Sequence, residues 1–271
     1  MSGPLPAPPS VTTADGHRVV ISGVGTPAAV LTYDTPSTAH WAQTVWGAPP
    51  NSLGGGTLDG WLKADKIPAG IADGAALTSW VDQSVNARNF NTLSGGTLPV
   101  YRAAGGPRGL PCIDHTVAAG GLSTASGIVT MTAITYFIVM QRVGAGIQTI
   151  YNGAQGNTAE VRVTATGQIE LLISGVSSVG ISATVLPLNQ WSLVLVTLTT
   201  AGALYFDING TIENYAVGPK NFPGVFAVSY GSHQGGILYG GKMAELGLYS
   251  TALAAADLQA LKDGLNHKWF G

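Results

Sequence analysis

Only one cysteine, Cys112, occurs among the 271 residues. An intramolecular disulfide is therefore excluded, and so is a thiolate metal cluster. Cys112 sits in Leu110-Pro111-Cys112-Ile113, which reads as the start of a buried strand, so it is expected to be a small core hydrophobe. Charge is scarce as well. Asp, Glu, Lys and Arg together make up 10% of the chain, against roughly a quarter in an average soluble domain. No cluster of Lys and Arg occurs, which removes the electrostatic footprint of nucleic-acid binding. The most apolar runs, Ala133–Met140 and Trp191–Leu198, are strand-length. A membrane-spanning helix needs ~20 such residues, so no membrane partner is expected. The N-terminus, Met1-Ser2-Gly3-Pro4-Leu5-Pro6, lacks a basic region followed by an apolar one, and no secretory signal is expected there.

Catalytic signatures are missing too. No Gly-x-Ser-x-Gly elbow, P-loop or dinucleotide fingerprint appears. His17, His40, His115, His233 and His267 are scattered without metal-ligand spacing. Glu160, Glu170, Glu213 and Glu245 stand alone in the sequence and are expected at strand ends or in solvent. Retaining glycoside hydrolysis needs two carboxyl groups about 5 Å apart, and no run supplies them. These absences point away from an enzyme and imply no cofactor.

The chain does have abundant apolar residues, 45% in all, and a surface solubilised by Ser, Thr, Asn, Gln and Gly. Short β-branched and aromatic runs follow one another from Ala133 to Tyr239, punctuated by Gly, Asn or Pro. Asn152-Gly153 and Asn209-Gly210 are the strongest turn dipeptides, because both central residues of a type I′ turn need positive φ. Thr166-Gly167 marks another turn. Many short strands at this spacing predict an all-β, antiparallel β-sandwich. One helix is expected at the end, where Leu258, Leu261, Leu265 and Trp269 form an apolar stripe. Asp257 near its start and Lys262, His267 and Lys268 near its end suit the helix dipole.

The first residues differ. Met1 to Thr13 is rich in Pro and small residues and reads as an extended arm. His17–Ser22 and Ala28–Tyr33 read as a hairpin, which is marginal alone and needs a partner. Pro49-Pro50-Asn51-Ser52-Leu53-Gly54-Gly55-Gly56 is the clearest linker signal. The division is placed there: residues 1–57 as an attachment segment and 58–271 as the sandwich. Trp41 and Trp46 are candidate anchors for a neighbouring subunit.

The ordered motifs of the larger part carry a resemblance. They are Gly60-Trp61-Leu62-Lys63-Ala64-Asp65, Trp80-Val81-Asp82-Gln83-Ser84-Val85-Asn86-Ala87-Arg88, Pro99-Val100-Tyr101-Arg102, Gly109-Leu110-Pro111-Cys112-Ile113-Asp114, and Gly241-Lys242-Met243-Ala244-Glu245-Leu246-Gly247-Leu248-Tyr249. This set resembles the LamG-like, concanavalin A-like jelly-roll domains of bacterial surface proteins and tailed-phage structural proteins. The resemblance implies a jelly-roll sandwich with a C-terminal helix and an N-terminal arm. It also implies a virion role as a minor tail, baseplate or decoration component, with other virion proteins and further copies of itself as partners. The alternative is a bacterial surface or secreted carbohydrate-binding module. Val85 and Ala87 occupy positions where the family loop has glycine. Neither side chain favours positive φ, so this loop is expected to adopt another conformation. The helix start has Ala254 where a Ser cap is usual, leaving Asp257 to supply half of a capping box.

Two loops carry the aromatic-plus-amide chemistry of a glycan site. One is Tyr151, Asn152, Gln155 and Asn157. The other is Tyr230 with Ser232, His233 and Gln234. Both also fit ordinary turns. Asp82, Ser84 and Asn86 are hard oxygen donors of the kind calcium takes, but an Asx-turn network explains them at least as well. Asn209-Gly210-Thr211 fits a glycosylation acceptor, although the hairpin turn accounts for it better. A host surface glycan is the expected small partner.

Overall fold

The computed structural model describes residues 10–12, 18–22, 30–33, 50–55, 57–67, 70–92, 97–116, 121–123, 131, 133–153, 159–173, 177–220, 228–230 and 239–271. The chain divides into two compact units, Met1–Gly47 and Ala48–Gly271. In the first unit β1 (Ser10–Thr12), β2 (Arg18–Ser22) and β3 (Val30–Tyr33) form an antiparallel sheet in the order β1-β2-β3. The expected hairpin is thus joined by a third strand, inside the segment read as an extended arm. Ser10 lies opposite Val20, and Val20 opposite Thr32.

The second unit is an antiparallel jelly-roll β-sandwich with one C-terminal helix. In chain order its strands are β4 (Leu58–Lys63), β5 (Ser79–Trp80), β6 (Phe90–Thr92), β7 (Val100–Arg102), β8 (Cys112–Asp114) and β9 (Leu122–Ser123). Then come β10 (Ile134–Gln141), β11 (Gln148–Gly153), β12 (Ala159–Val163), β13 (Gln168–Ile173) and β14 (Ser177–Val185). The last are β15 (Trp191–Leu198), β16 (Ala203–Ile208), β17 (Thr211–Ala216), β18 (Val228–Tyr230) and β19 (Lys242–Tyr249), followed by the helix α1 (Ala255–Trp269). One sheet runs β17-β16-β15-β10-β19-β8-β7, with β4 also paired to β19. The other runs β14-β13-β12-β11-β18-β9-β6-β5.

Strand period 2 explains where the core sits. Ile134, Tyr136, Ile138 and Met140 of β10 point between the sheets, with Val194, Val196, Leu204, Phe206 and Leu246 beside them. Val161, Val163, Ile169, Leu171, Trp80 and Phe90 answer from the second sheet. The alternate residues of β10, Thr135, Phe137 and Val139, face outward yet are also buried. Helix α1 closes over this outer face through Leu261, Leu265 and Trp269, all buried. That is why β10, β15 and β19 read as continuous apolar runs rather than alternating ones.

Beneath the last turn of α1 lies a buried polar cluster. Glu245 is 1% exposed. Its Oε1 accepts the Trp61 indole N–H at 2.6 Å. Its Oε2 accepts Lys268 Nζ at 2.7 Å and the Trp269 indole N–H at 2.9 Å. Lys268 also reaches Asp65 at 3.0 Å, and its ammonium sits 4.3 Å from the Trp269 ring centroid. Lys63 sits 4.5 Å from the Trp61 ring centroid, and burial pushes its amine below the ordinary range against the pull of Glu245. Glu245, Glu160 and Glu170 were expected in solvent or at strand ends. They are instead at most 4% exposed, each held by polar partners that the one-dimensional pattern does not reveal.

Local chemistry matches expectation at two turns and departs from it at four other places. Asn209 and Gly210 have φ of 52° and 89°, as a two-residue type I′ hairpin requires. Thr166-Gly167 is also a turn, with Gly167 N–H on the Thr164 carbonyl at 2.9 Å. Asn152 and Gly153, by contrast, belong to β11 rather than to a turn. Ala87 adopts φ 47°, contrary to the expectation that alanine would avoid the left-handed region. The Asp82 carboxylate holds that loop by accepting the N–H groups of Trp61, Ser84 and Arg88 and the Ser84 hydroxyl, so the surroundings over-determine the strained residue. Asp257 makes no capping box. Its Oδ2 accepts the Gly54 N–H at 3.2 Å, and Ala254 caps through backbone alone. The segment read as a linker, Pro50–Gly55, is thereby tied to the start of α1 as a pair of 3-10 turns with Leu53 buried. A Cβ on Gly54 would meet Leu253 at 2.5 Å, and its φ of +61° also demands glycine.

Candidate functional site

A hollow lies outside the sandwich core, between α1 and the outer face of the first sheet. Its volume is about 440 Å³. The floor comes from register: Leu195 lies opposite Asp207, which lies opposite Ile212, and Thr197 opposite Tyr205. Residues directly opposite in an antiparallel sheet share a face, so alternate positions of β15, β16 and β17 together make one wall. Leu253 and the first two turns of α1, through Leu258, Gln259 and Lys262, make the other.

Polar groups gather on this otherwise apolar groove. Lys262 Nζ pairs with Asp207 Oδ2 at 2.7 Å, bridging helix and sheet. Asp207 Oδ1 accepts the Gly210 N–H at 2.9 Å, tying the pair to the hairpin turn. Gln259 donates to Asp263 at 2.7 Å. Thr199, Tyr205 and Gln259 are among the residues lining the same space. The arrangement offers an aromatic ring and aliphatic walls to an apolar ligand face, with hydroxyl, amide, carboxylate and ammonium groups at its border.

The loops singled out from sequence come together in an unforeseen way. Tyr151 of β11 and Tyr230 of β18 are directly opposite in register. Their row continues through Val161 and Leu171 on one side and Leu122 on the other, all core residues. Asn152 belongs to the next row, with Glu160, Ser229, Ser123 and Asn91. A parallel row carries Thr149, Arg162 and Glu170, in which Arg162 Nε meets Glu170 Oε2 at 2.6 Å. Gln155, Asn157, His233 and Gln234 lie outside the described residues, as do Trp41 and Trp46. Asp82, Ser84 and Asn86 sit in one turn. The Asp82 oxygens are engaged by the four donors given above, Asn86 N–H reaches Ser84 Oγ at 3.3 Å, and Asn86 Nδ2 reaches Asp59 Oδ1 at 3.4 Å. This is the loop-fixing Asx network.

Two further reactive types are buried. Cys112 is fully covered, and burial pushes its thiol up to about 12. His115 is 1% exposed, and burial lowers its imidazole to about 3 although neighbouring Asp114 opposes the shift. Neither faces the groove. Tyr205, Asp207, Gln259 and Lys262 were missed by sequence reasoning because they come from a strand and a helix more than fifty positions apart. The one available signal was the polar alternation Tyr205-x-Asp207 opposite the apolar Leu204, Phe206 and Ile208.

The described residues form a two-sheet antiparallel β-sandwich with a groove on the outer face of the first sheet. No protein-family model matches the chain, and no curated protein matches it. Solved structures do. Domain 4 of AbnA, an extracellular arabinanase of Geobacillus stearothermophilus solved with arabinotriose, is similar with a TM-score of 0.54 and 17% identity, covering 76% of this chain and 97% of that one. The receptor-binding domain of botulinum neurotoxin D is similar with a TM-score of 0.50 and 15% identity, covering 77% of this chain and 52% of that one. At such identities the likeness concerns the fold.

Proposed function

We propose that the sandwich is a non-catalytic carbohydrate-binding module whose site is the groove between α1 and β15–β17. The observation carrying this reading is the gathering of Tyr205, Asp207, Lys262, Gln259 and Thr199 around one hollow of about 440 Å³. Sugars present apolar ring faces edged by hydroxyls, and an aromatic ring beside mixed donors and acceptors suits them. The similar fold of a domain solved with arabinotriose supports the ligand class. Asp207 is committed to Lys262 and a backbone N–H, which favours binding over acid–base work.

Titration calorimetry with arabinotriose, followed by a glycan array, tests the proposal. Wild type is expected to bind an oligosaccharide, and Tyr205→Ala to weaken it at least about tenfold. Silence across the array and on bacterial cell walls would overturn the reading. So would full binding by a folded Tyr205→Ala variant.

For location, we infer a virion component that displays this module to a host surface. Support comes from the low charge and from the ordered motifs from Trp61 to Tyr249. Electron microscopy of purified particles with the protein labelled decides it. Label on the particle at fixed stoichiometry is expected, and its absence from every particle would leave the alternative of a bacterial surface module.

A further inference from the structure

Asp207 and Lys262 are the charged residues among those lining the groove. Their side chains are 16% and 17% exposed, and they meet at 2.7 Å. A ligand therefore encounters a closed ion pair in the lining rather than a free charge. Within residues 255–263 the remaining charged side chains, Asp257 and Asp263, are both acidic. An anionic ligand would have to draw Lys262 off a largely covered carboxylate and then sit among charges of its own sign. A cationic ligand would have to displace Lys262 itself.

Pairing does not exhaust either group. An ammonium carries more than one N–H donor, and Lys262 directs one to Asp207 Oδ2. A carboxylate has about four acceptor positions, and those of Asp207 hold Lys262 and the Gly210 N–H at 2.9 Å. The bridge thus keeps donors and acceptors side by side, each strengthened by charge. Neighbouring hydroxyls on a sugar ring stand about one hydrogen-bond length apart, so one can accept from Lys262 while the other donates to Asp207. Tyr205 lies two residues before Asp207 on β16, and both line the groove. That spacing is roughly 6.6 Å along the strand, which lets one ring lie against Tyr205 with its hydroxyl edge at the bridge.

We infer that the Lys262–Asp207 bridge reads a pair of neighbouring hydroxyls on an uncharged sugar and turns acidic sugars away. The inference rests on the carbohydrate reading of the groove and names the ligand class within it. The carboxylate is held from the hairpin side by Gly210 and from the helix side by Lys262. Neither group has to be ordered on binding, which removes part of the entropic cost.

A broad array of neutral oligosaccharides, arabinotriose among them, tests it. The array also carries their deoxy counterparts, each lacking one of two neighbouring hydroxyls, and uronic acid oligomers such as trigalacturonic acid. Wild type is expected to bind a neutral sugar, to lose at least about tenfold when one particular hydroxyl pair is interrupted, and to bind trigalacturonic acid at least about tenfold more weakly than the neutral sugar. Lys262→Met is expected to lose at least about tenfold toward the neutral sugar. Asp207→Asn keeps an oxygen for the Gly210 N–H but frees the ammonium, so it should bind trigalacturonic acid at least about tenfold better than wild type does. Circular dichroism checks that both variants fold, and the wild-type comparison stands without them. Deoxy counterparts that all bind as well as their parents, a wild type that prefers the acidic oligomer, or a folded Lys262→Met with unchanged affinity overturns the inference and leaves the carbohydrate reading in place. Silence across the whole array overturns both.

Discussion

Replacing Glu245 with alanine is the most informative perturbation of this fold. The carboxylate accepts two indole N–H groups and one ammonium, from Trp61, Trp269 and Lys268. The Lys268 and Glu245 side chains are 3% and 2% exposed, so solvent cannot replace what is lost. Removing one member of a buried ion pair costs about 3–5 kcal/mol, and Asp65, 3.0 Å from Lys268, keeps the loss towards the lower end by retaining one counter-charge. Each stranded indole N–H adds about 1 kcal/mol or more before relaxation. These contributions overlap, and about 4 kcal/mol is expected for Glu245→Ala. At roughly 2–4 °C per kcal/mol for a unit of this size, the melting temperature should fall by about 8–16 °C. Urea denaturation followed by tryptophan fluorescence measures it, since two of the reporters touch the site. Glu245→Leu combined with Lys268→Met should recover part of the loss, because replacing the whole pair by apolar groups is often neutral, while the two indole N–H groups stay without their acceptor. A loss below about 1 kcal/mol for Glu245→Ala, or a double variant no better than the single one, would refute the reasoning.

Other expectations follow from smaller features. Ala87→Gly should raise stability by about 0.5–1 kcal/mol, because glycine relieves the left-handed φ of 47°; an unchanged or lower urea midpoint contradicts this. His115 is neutral when folded, with its pKa lowered from 6.5 to about 3 by burial. Its contribution is complete above pH 6.5 and fades as pH falls towards 3, up to roughly 4–5 kcal/mol by linkage. His115→Gln should therefore flatten the acid limb of the stability–pH curve, and an identical limb would count against the assignment. Cys112, with its thiol pushed up to about 12, should resist a disulfide reagent in the native protein and react in urea. Prompt native labelling would show that the strand opens.

Strand-rich architecture was legible from the sequence because Gly, Asn and Pro punctuate the runs and because β10 is rich in β-branched and aromatic residues and β15 in Val and Leu. The helix was legible from the spacing of Leu261, Leu265 and Trp269. β17 was not, since its half-buried positions are Glu213 and Tyr215 and its apolar Ile212 faces outward, so Thr211-Ile212-Glu213-Asn214 reads as polar. Asn152-Gly153 looked like a turn because the dipeptide preference ignores where strands must extend to meet β18. The groove was illegible for a different reason. Its chemistry depends on which face of β16 the helix crosses, and no periodicity records a partner so distant in sequence. The Glu245 cluster was hidden likewise, as a lone glutamate on an apolar strand signals nothing until its two tryptophans are brought over it.

That cluster also orders events in time. Trp61 and Trp269 meet on the same carboxylate, although 208 positions separate them along the chain. A nascent chain emerging at roughly 5–20 residues per second therefore spends ten seconds or more with β4 made and its covering turn not yet synthesised. Only roughly its last one to four seconds, between the completion of β19 at Tyr249 and of α1 at Trp269, leave the outward faces of β10, β15 and β19 together and bare, an apolar surface of the sort that chaperones hold. The helix acts as a latch of late synthesis, and any ligand or partner that needs α1 in place meets only a finished domain.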